Sequence, residues 1–158
     1  MPKPPIVDPA TIDTSQVQYD IEAIRRFNKQ RYEMEQLTAI VHVDRQKRTI
    51  VAYKDLTENE FWIRGHIPGR PLMPGVIMCE AVAQAASFLI AQCLDDPPDF
   101  VGYGGMDQVR FRGEVKPGDR FLIVGQIESL RRGYAVMRAQ AFVGTHMAFE
   151  GVIIGVPM

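Results

Sequence analysis

A long run without proline or glycine sets the first limit on how this chain can fold. Alanine and long apolar side chains dominate the run Val76–Cys93. Its only polar residues are Glu80, Gln84, Ser87 and Gln92. This composition favours a helix, and Pro74 suits the first turn, where a backbone N–H would have no partner. The sequence therefore predicts a helix over residues 74–93 that is buried on most sides.

A membrane-spanning helix is the alternative structure for an apolar run of this length. Against it, Glu80 lies near the start of the run, and alanine is more frequent there than leucine or isoleucine. Lysine and arginine do not flank both ends of the run, as they often do for membrane helices. We therefore expect a helix in a protein core and no insertion into a membrane.

Composition and cysteine content argue against several other classes of function. The 158 residues carry a formal charge of −1, which argues against a general affinity for nucleic acids or membrane surfaces. Cys79 and Cys93 both fall in the predicted helix and lie too far apart along it to form a disulfide. The sequence has no Cys/His cluster that would predict a metal site, and we expect no cofactor. The first residues lack the apolar core of a signal sequence, which predicts a cytoplasmic protein.

The loop before the helix places a histidine among prolines and glycines, in the sequence G-H-I-P-G-R-P-L-M-P-G of residues 65–75. His66 can serve as a base, because imidazole exchanges its proton near neutral pH. Glu80 is costly to bury unless it is hydrogen-bonded or protonated, and a protonated carboxyl can act as an acid. The free N–H groups of the first helical turn, around Gly75 and Val76, can polarise a carbonyl oxygen.

Together these groups suit the removal of a proton next to a carbonyl and the protonation of a leaving group. The alternative for each residue alone is structural: His66 as a core histidine, and Glu80 as a helix glutamate bonded to the backbone. Their combination within fifteen residues favours catalysis. Gln84, one turn after Glu80, can reach it through an i,i+4 hydrogen bond, although a plain packing role fits the sequence equally well.

The stretch Gly65–Ala86 resembles the signature of the 3-hydroxyacyl-(acyl carrier protein) dehydratases of the hotdog fold, G-H-F-P-G-x-P-x-M-P-G-V-x-x-x-E-A-x-A-Q. The chain departs from it at Ile67, where the family usually has phenylalanine, and keeps the fourteen-residue step from His66 to Glu80. Relatives that also isomerise the double bond carry aspartate at the acid position, so Glu80 is typical of the dehydratase-only branch. Nearer the N-terminus, Gln30 stands where the family usually has a histidine.

The remaining apolar runs predict an antiparallel sheet around the central helix, an α+β architecture that agrees with the hotdog fold. The predicted strand runs are 37–43, 49–54, 100–102, 107–114, 121–130, 134–143 and 147–156. We expect one hotdog domain over residues 1–158, with an extended N-terminal arm at 1–13 and an N-terminal helix at 15–34. A single sheet covers only part of a helix, which predicts a homodimer.

The resemblance implies a lyase of fatty acid biosynthesis that acts on a 3-hydroxyacyl chain held by acyl carrier protein. It implies His66 as base and Glu80 as acid, with the Gly75 amide on the thioester oxygen and Val76 and Gln84 beside the substrate. It further implies that each site takes its histidine and its glutamate from different subunits, and that three dimers often assemble into a hexamer.

Two other functions stay open at this point: a hotdog acyl-thioesterase and a non-catalytic acyl-chain binder. An acidic carrier protein also requires positive charge at the mouth of the site, although each basic residue alone is more often an ordinary surface residue. The candidates are Arg64, Arg70, Arg110, Arg112, Lys116, Arg131 and Arg132.

Overall fold

The computed structural model describes residues 1–158 and contains one six-stranded antiparallel sheet and one long helix. The strands are β1 (Ala39–Asp44), β2 (Thr49–Asp55), β3 (Val101–Phe111), β4 (Arg120–Arg131), β5 (Tyr134–Val143) and β6 (His146–Pro157). The α-helices are α1 (Ile21–Arg25) and α2 (Gly75–Cys93), and short 3-10 helices cover Pro9–Thr11 and Tyr32–Met34. The strand order is β1-β2-β4-β5-β6-β3. The predicted α+β hotdog architecture is confirmed.

Helix α2 packs against β2, β3, β4, β5 and β6, and we call the side of the sheet that it covers the inner face. The helix is long and apolar enough to cross a membrane, but most of it is buried within the protein. Phe88, Leu89 and Ile90 have no exposed surface and belong to a core of 29 buried residues. Burial of this kind explains the apolar composition of α2 without a membrane.

The N-terminal helix predicted over residues 15–34 is wrong in extent, since only Ile21–Arg25 is α-helical. Asp20 caps its start by accepting a hydrogen bond from the N–H of Ala23. The helix ends early because contacts with α2 outweigh local propensity. The Phe27 ring packs edge-on against the Phe88 ring at 5.3 Å, and the Asn28 side chain donates to the Gln84 carbonyl at 2.9 Å.

Two predicted runs, 100–102 and 107–114, form the single strand β3. Three glycines lie between 102 and 105, and pairing with β6 continues past them through two irregularities in register. At Gly104 a Cβ atom would lie 2.7 Å from a Val156 methyl group, so the close approach of β6 explains the glycine. β3 is an edge strand, and most of its residues are exposed.

The predicted arm, residues 1–13, lies on the face of the sheet opposite α2, which we call the outer face. Ile6, Val7 and Ile12 pack there against a cluster of six buried residues. The arm is not extended throughout, because Asp8 caps a short 3-10 turn at Pro9–Thr11.

Candidate active site

The loop that carries the histidine is held by its own backbone and by the segment that connects β3 to β4. The N–H of His66 donates to the Trp62 carbonyl at 2.8 Å, and the Trp62 side chain is buried in the core. Further along the loop, the N–H of Met73 donates to the Val115 carbonyl at 2.7 Å. The loop is thus fixed at both ends before the helix begins.

The His66 ring has a defined orientation. Its Nδ1 lies 2.8 Å from the carbonyl oxygen of Leu72. Because a carbonyl oxygen can only accept a hydrogen bond, we assign the hydrogen to Nδ1. In the neutral ring Nε2 then carries the free lone pair, and the half-buried side chain can accept a proton there.

Next to His66, the backbone of Ile67 adopts a left-handed conformation with φ +56°. This conformation is unfavourable for a β-branched residue and is found chiefly at tight turns and functional sites. The Ile67 carbonyl accepts a hydrogen bond from the N–H of Arg70 at 2.9 Å, which closes the turn. Gly69, with φ +85°, supplies the other left-handed residue of the turn without strain.

Helix α2 begins at Gly75 with amide groups that have no partner within the helix. Pro74 precedes the helix and offers no side-chain cap, and its carbonyl accepts from Ile77 at 2.9 Å and Met78 at 3.1 Å. The N–H groups of Gly75 and Val76 therefore lie at the positive end of the helix dipole. Val76 is 72% exposed.

Gly75 is needed for packing as well as for any approach to a ligand. A Cβ atom at this position would lie 2.8 Å from Cζ of the Phe111 ring. A glycine at the start of a helix can leave room for a ligand to approach the backbone closely. In the structure the space beside its Cα is occupied by Phe111, which is itself 53% exposed.

Glu80 lies one and a half turns into α2, at the wall of a cavity of about 80 Å³ between α2 and strands β3 and β6. Its Oε1 accepts a hydrogen bond from Nε2 of Gln84 at 2.8 Å, so the i,i+4 contact expected from the sequence is present. Tyr103 lines the same cavity, and burial, together with the nearby Cys79 and Glu80, raises its pKa to about 12. The phenol therefore stays protonated near neutral pH.

Gln84 joins the helix to the chain before β1. Its Nε2 also donates to the Met34 carbonyl at 2.6 Å, and its Oε1 accepts from the N–H of Gln36 at 2.8 Å. Every polar atom of this buried amide is thus used, which fixes the side chain that holds Glu80. Gln84 thus makes the hydrogen bond to Glu80 that an orienting role requires, and it is buried as a packing role requires.

Gln30 also lines the cavity beside Glu80, although the sequence did not predict it as a site residue. Its Oε1 is buried and has no hydrogen-bond partner. The signal available in the sequence was the replacement of the histidine that the family usually has at this position. Its placement next to Glu80 depends on the irregular path of the chain between α1 and β1.

The structure does not bring all the candidate residues into one cavity of the chain. The cavity that Glu80 and Gln30 line does not include His66, which lies in the loop before Gly75. Within one chain, His66 thus lies in the loop that precedes the free amides of α2, and Glu80 lies on the β3 side of the helix, where Gln84 holds its carboxyl.

A sheet around one long helix defines a hotdog protein, here with a histidine in the loop before the helix and a glutamate on the helix itself. Residues 28–152 match the model of the FabA-like domain, and the chain belongs to this family. The resemblance noted over residues 65–86 is thereby confirmed.

The chain is similar to the 3-hydroxyacyl-[acyl-carrier-protein] dehydratase FabZ of Variovorax paradoxus, with 36% identity covering 85% of this chain and 91% of that protein. It is also 36% identical to FabZ of Streptococcus pneumoniae strain R6, covering 85% and 94%. Among solved structures, a dehydratase heterocomplex from Xenorhabdus doucetiae matches with a TM-score of 0.70 at 11% identity, covering 85% of this chain and 90% of that chain.

A sigma28-regulated virulence protein from Campylobacter jejuni matches over 93% of this chain and 96% of its own, with a TM-score of 0.66 at 16% identity. At such low identities, the two structural matches speak for the fold alone.

Proposed function

We propose that this chain is a lyase of fatty acid biosynthesis that dehydrates 3-hydroxyacyl thioesters on acyl carrier protein to trans-2-enoyl thioesters. Its family supports this reaction, because the FabZ relatives are named for it and match over about nine tenths of their length. The observation that carries the proposal in the structure is the hydrogen bond from Nδ1 of His66 to the Leu72 carbonyl.

That hydrogen bond supports His66 as the base of the reaction. With Nδ1–H engaged, the lone pair of Nε2 takes the proton from C2 of the substrate. The electrons of the C2–H bond form the double bond between C2 and C3. The bond from C3 to its hydroxyl oxygen breaks, and its electrons leave with the oxygen.

Glu80 supplies the proton that turns the departing hydroxyl into water, directly or through a bound water molecule. The Gln84 amide holds the carboxyl in place through Oε1 and leaves the other oxygen free for the substrate. After the step His66 is protonated and Glu80 is ionised, and transfer of one proton from His66 to Glu80 restores the starting state.

The free amides at the start of α2 support binding of the thioester oxygen. When the proton leaves C2, negative charge develops on that oxygen, and an N–H donor at a helix N-terminus stabilises it. We assign this role to Gly75, with Val76 beside it. Because Phe111 already lies against Gly75, the acyl chain passes along the edge of this ring rather than over the glycine.

We further propose a homodimer in which strand β3 pairs with its copy, as the first step towards three dimers in a hexamer. β3 is the long edge strand, and its exposed apolar side chains include Tyr103, Met106 and Phe111. The unpaired backbone groups of such an edge strand can pair with a strand of another chain. In such a dimer His66 of one subunit approaches Glu80 of the other, and the assembly acts in the cytoplasm.

The test follows formation of the enoyl thioester by ultraviolet absorbance, with 3-hydroxyacyl thioesters of graded chain length. His66→Ala removes the base, and we expect turnover to fall by about 10²–10⁴-fold or more with the fold unchanged. His146→Ala is the matched control, because His146 is an exposed histidine at the start of β6. In the same way, Glu80→Gln removes the proposed acid, and Glu128→Gln, at an exposed glutamate, is its matched control.

Dehydration at a near-normal rate by folded His66→Ala would refute the proposed mechanism. Release of free thiol without an enoyl product would instead assign the chain to the thioesterases. Binding of acyl chains in fixed proportion without any turnover would identify an acyl-chain binder.

A further inference from the structure

The arm attaches to the outer face through polar groups that the sheet would otherwise leave buried without partners. Gln140 on β5 has no exposed surface, and its Nε2 donates to the carbonyls of Lys3 at 3.2 Å and Pro4 at 3.1 Å. Its Oε1 accepts from the N–H of Ile6 at 2.8 Å. The match to the family begins at residue 28, so these contacts are made by a segment outside it.

Between the first residues of the arm and strands β3, β5 and β6 lies a cavity of about 270 Å³. Its charged lining consists of Lys3, Arg110, Arg112, Arg138 and Glu150. Four cations thus face one carboxylate in a single concave site. A concave surface of one sign concentrates counter-ions, which favours an anionic ligand here.

The single carboxylate is already neutralised. Arg112 Nε donates to Oε1 of Glu150 at 3.0 Å, and the N–H of Lys3 donates to Oε2 at 3.1 Å. Burial raises the pKa of Glu150, but these two hydrogen bonds and the charges of Arg112 and Lys3 outweigh it and keep the pKa below its ordinary value. The carboxylate therefore stays ionised and offsets Arg112, which leaves Lys3, Arg110 and Arg138 as uncompensated positive charges.

Arg138 provides a second, independent sign of a ligand. Its Nε is buried and has no hydrogen-bond partner among the protein atoms, although the guanidinium also donates to the Pro4 carbonyl. A buried donor without an acceptor is energetically unfavourable. Arg110 donates only one hydrogen bond within the protein, from Nη1 to the carbonyl of its neighbour Val109 at 2.8 Å. Nη1 of Arg138 and the remaining N–H groups of Arg110 make no hydrogen bond within the protein, so they are the donors that remain for an acceptor in the cavity.

We propose that this pocket, closed by the arm on the outer face, binds a phosphate group. A phosphate monoester carries a charge of about −1.5 to −2 and three strong acceptor oxygens, which suit several arginine donors at once. A single carboxylate would leave most of the positive charge uncompensated. The phosphate comes either from inorganic phosphate or, if the proposed function holds, from the phosphopantetheine of a thioester substrate.

The test measures binding of inorganic phosphate by titration calorimetry in a chloride buffer, with coenzyme A as the second probe. Arg138→Gln should weaken phosphate binding at least tenfold. Arg45→Gln makes the same change of charge on the exposed β1–β2 turn and should leave binding unchanged. Since Arg138 also contacts the arm, Arg110→Gln tests the pocket without touching the arm and should weaken binding as well.

Each outcome decides the question. No detectable phosphate binding, or equal weakening by Arg45→Gln, would overturn the inference, as would unchanged binding in both pocket variants. Coenzyme A binding at least tenfold tighter than phosphate, and lost in Arg138→Gln, would identify phosphopantetheine as the source, whereas equal affinities would identify free phosphate. A protein that binds phosphate but lacks dehydration activity refutes only the proposed function, and an active protein without phosphate binding refutes only this inference.

Discussion

The two faces of the sheet are covered in different ways. On the inner face, α2 completes an apolar core of 29 buried residues, and the side chains of Asn28, Gln36 and Gln84 are buried next to it. On the outer face only six buried residues form a cluster, and the arm covers them through Ile6, Val7 and Ile12. The buried polar side chains of Gln140 and Glu150 lie on this face and form hydrogen bonds with the arm, and Glu150 also accepts one from Arg112.

This difference shows that the two faces of the sheet contribute to the stability of the protein in different ways. The inner face is stabilised by burial of apolar area, which is roughly proportional to the surface removed from water. The outer face depends on a few hydrogen bonds to a segment that the family match does not include. Substitutions on the inner face should therefore cost more than equivalent ones on the outer face.

The largest effect is expected for Phe88→Ala on the inner face. Phe88 is fully buried and packs against the rings of Tyr19 at 4.9 Å and Phe27 at 5.3 Å. Its removal should lower the free energy of unfolding by about 3–5 kcal/mol, measured by equilibrium urea denaturation. Val7→Ala on the arm is the outer-face counterpart and should cost less than about 1 kcal/mol. Equal losses in the two variants would contradict the difference between the faces.

Gln84→Leu should come next, because it affects both the fold and Glu80. It leaves the buried N–H of Gln36 and the Met34 carbonyl without their partner, at about 1–3 kcal/mol for a buried group. The dehydration rate should fall too, since Glu80 loses the donor that holds it. The control is Gln92→Leu on the same helix, which should change neither unfolding nor rate. A Gln84→Leu enzyme with full activity would assign that side chain to packing alone.

Gln140→Leu makes a comparable change on the outer face. We expect a loss of about 1 kcal/mol, because the arm groups that it frees lie close to water and can hydrogen-bond there. The arm should be cleaved faster in limited proteolysis, while the dehydration rate stays at the wild-type value. An arm that remains equally protected would show that its apolar contacts alone hold it.

Acidification should give the smallest effect, through Glu150. Its pKa is lower in the folded protein than its ordinary value of 4.5, so its stabilising contribution is present above that pH. The contribution is lost as the pH falls through the folded pKa and the carboxyl is protonated. The stability difference between wild type and Glu150→Gln should thus shrink below about pH 4.5, measured by urea denaturation across the acidic range. A difference that is constant with pH would exclude this linkage.

The elements governed by local pattern could be predicted from the sequence. Strand β5 was predicted with its observed limits, Tyr134–Val143, and α2 differs by one residue at its start. Apolar periodicity and turn signals, such as the two aspartates and two prolines of residues 95–98 after α2, operate over a few residues, so they can be recognised without the fold. The helix predicted at 15–34 was wrong because Phe27 and Asn28 respond to α2, more than fifty residues away in the chain.

The same distinction applies to the sites. The spacing of His66 and Glu80 was visible in one continuous stretch, and their family is confirmed. The contact of Gln30 with the Glu80 cavity was not visible, because it depends on the path of an irregular segment. The outer pocket combines Lys3 with Arg138, which only the register of β5 and the course of the arm bring together.

Under the proposed mechanism, the hydrogen bond between His66 and Leu72 has a consequence for how the loop behaves during turnover. Nδ1 carries its hydrogen both in the neutral ring and in the imidazolium, because protonation takes place at Nε2. The contact at 2.8 Å can therefore persist through the whole catalytic cycle. The unfavourable backbone of Ile67 next to it need not relax and re-form, so a proton can arrive and depart with almost no reorganisation of the surrounding chain.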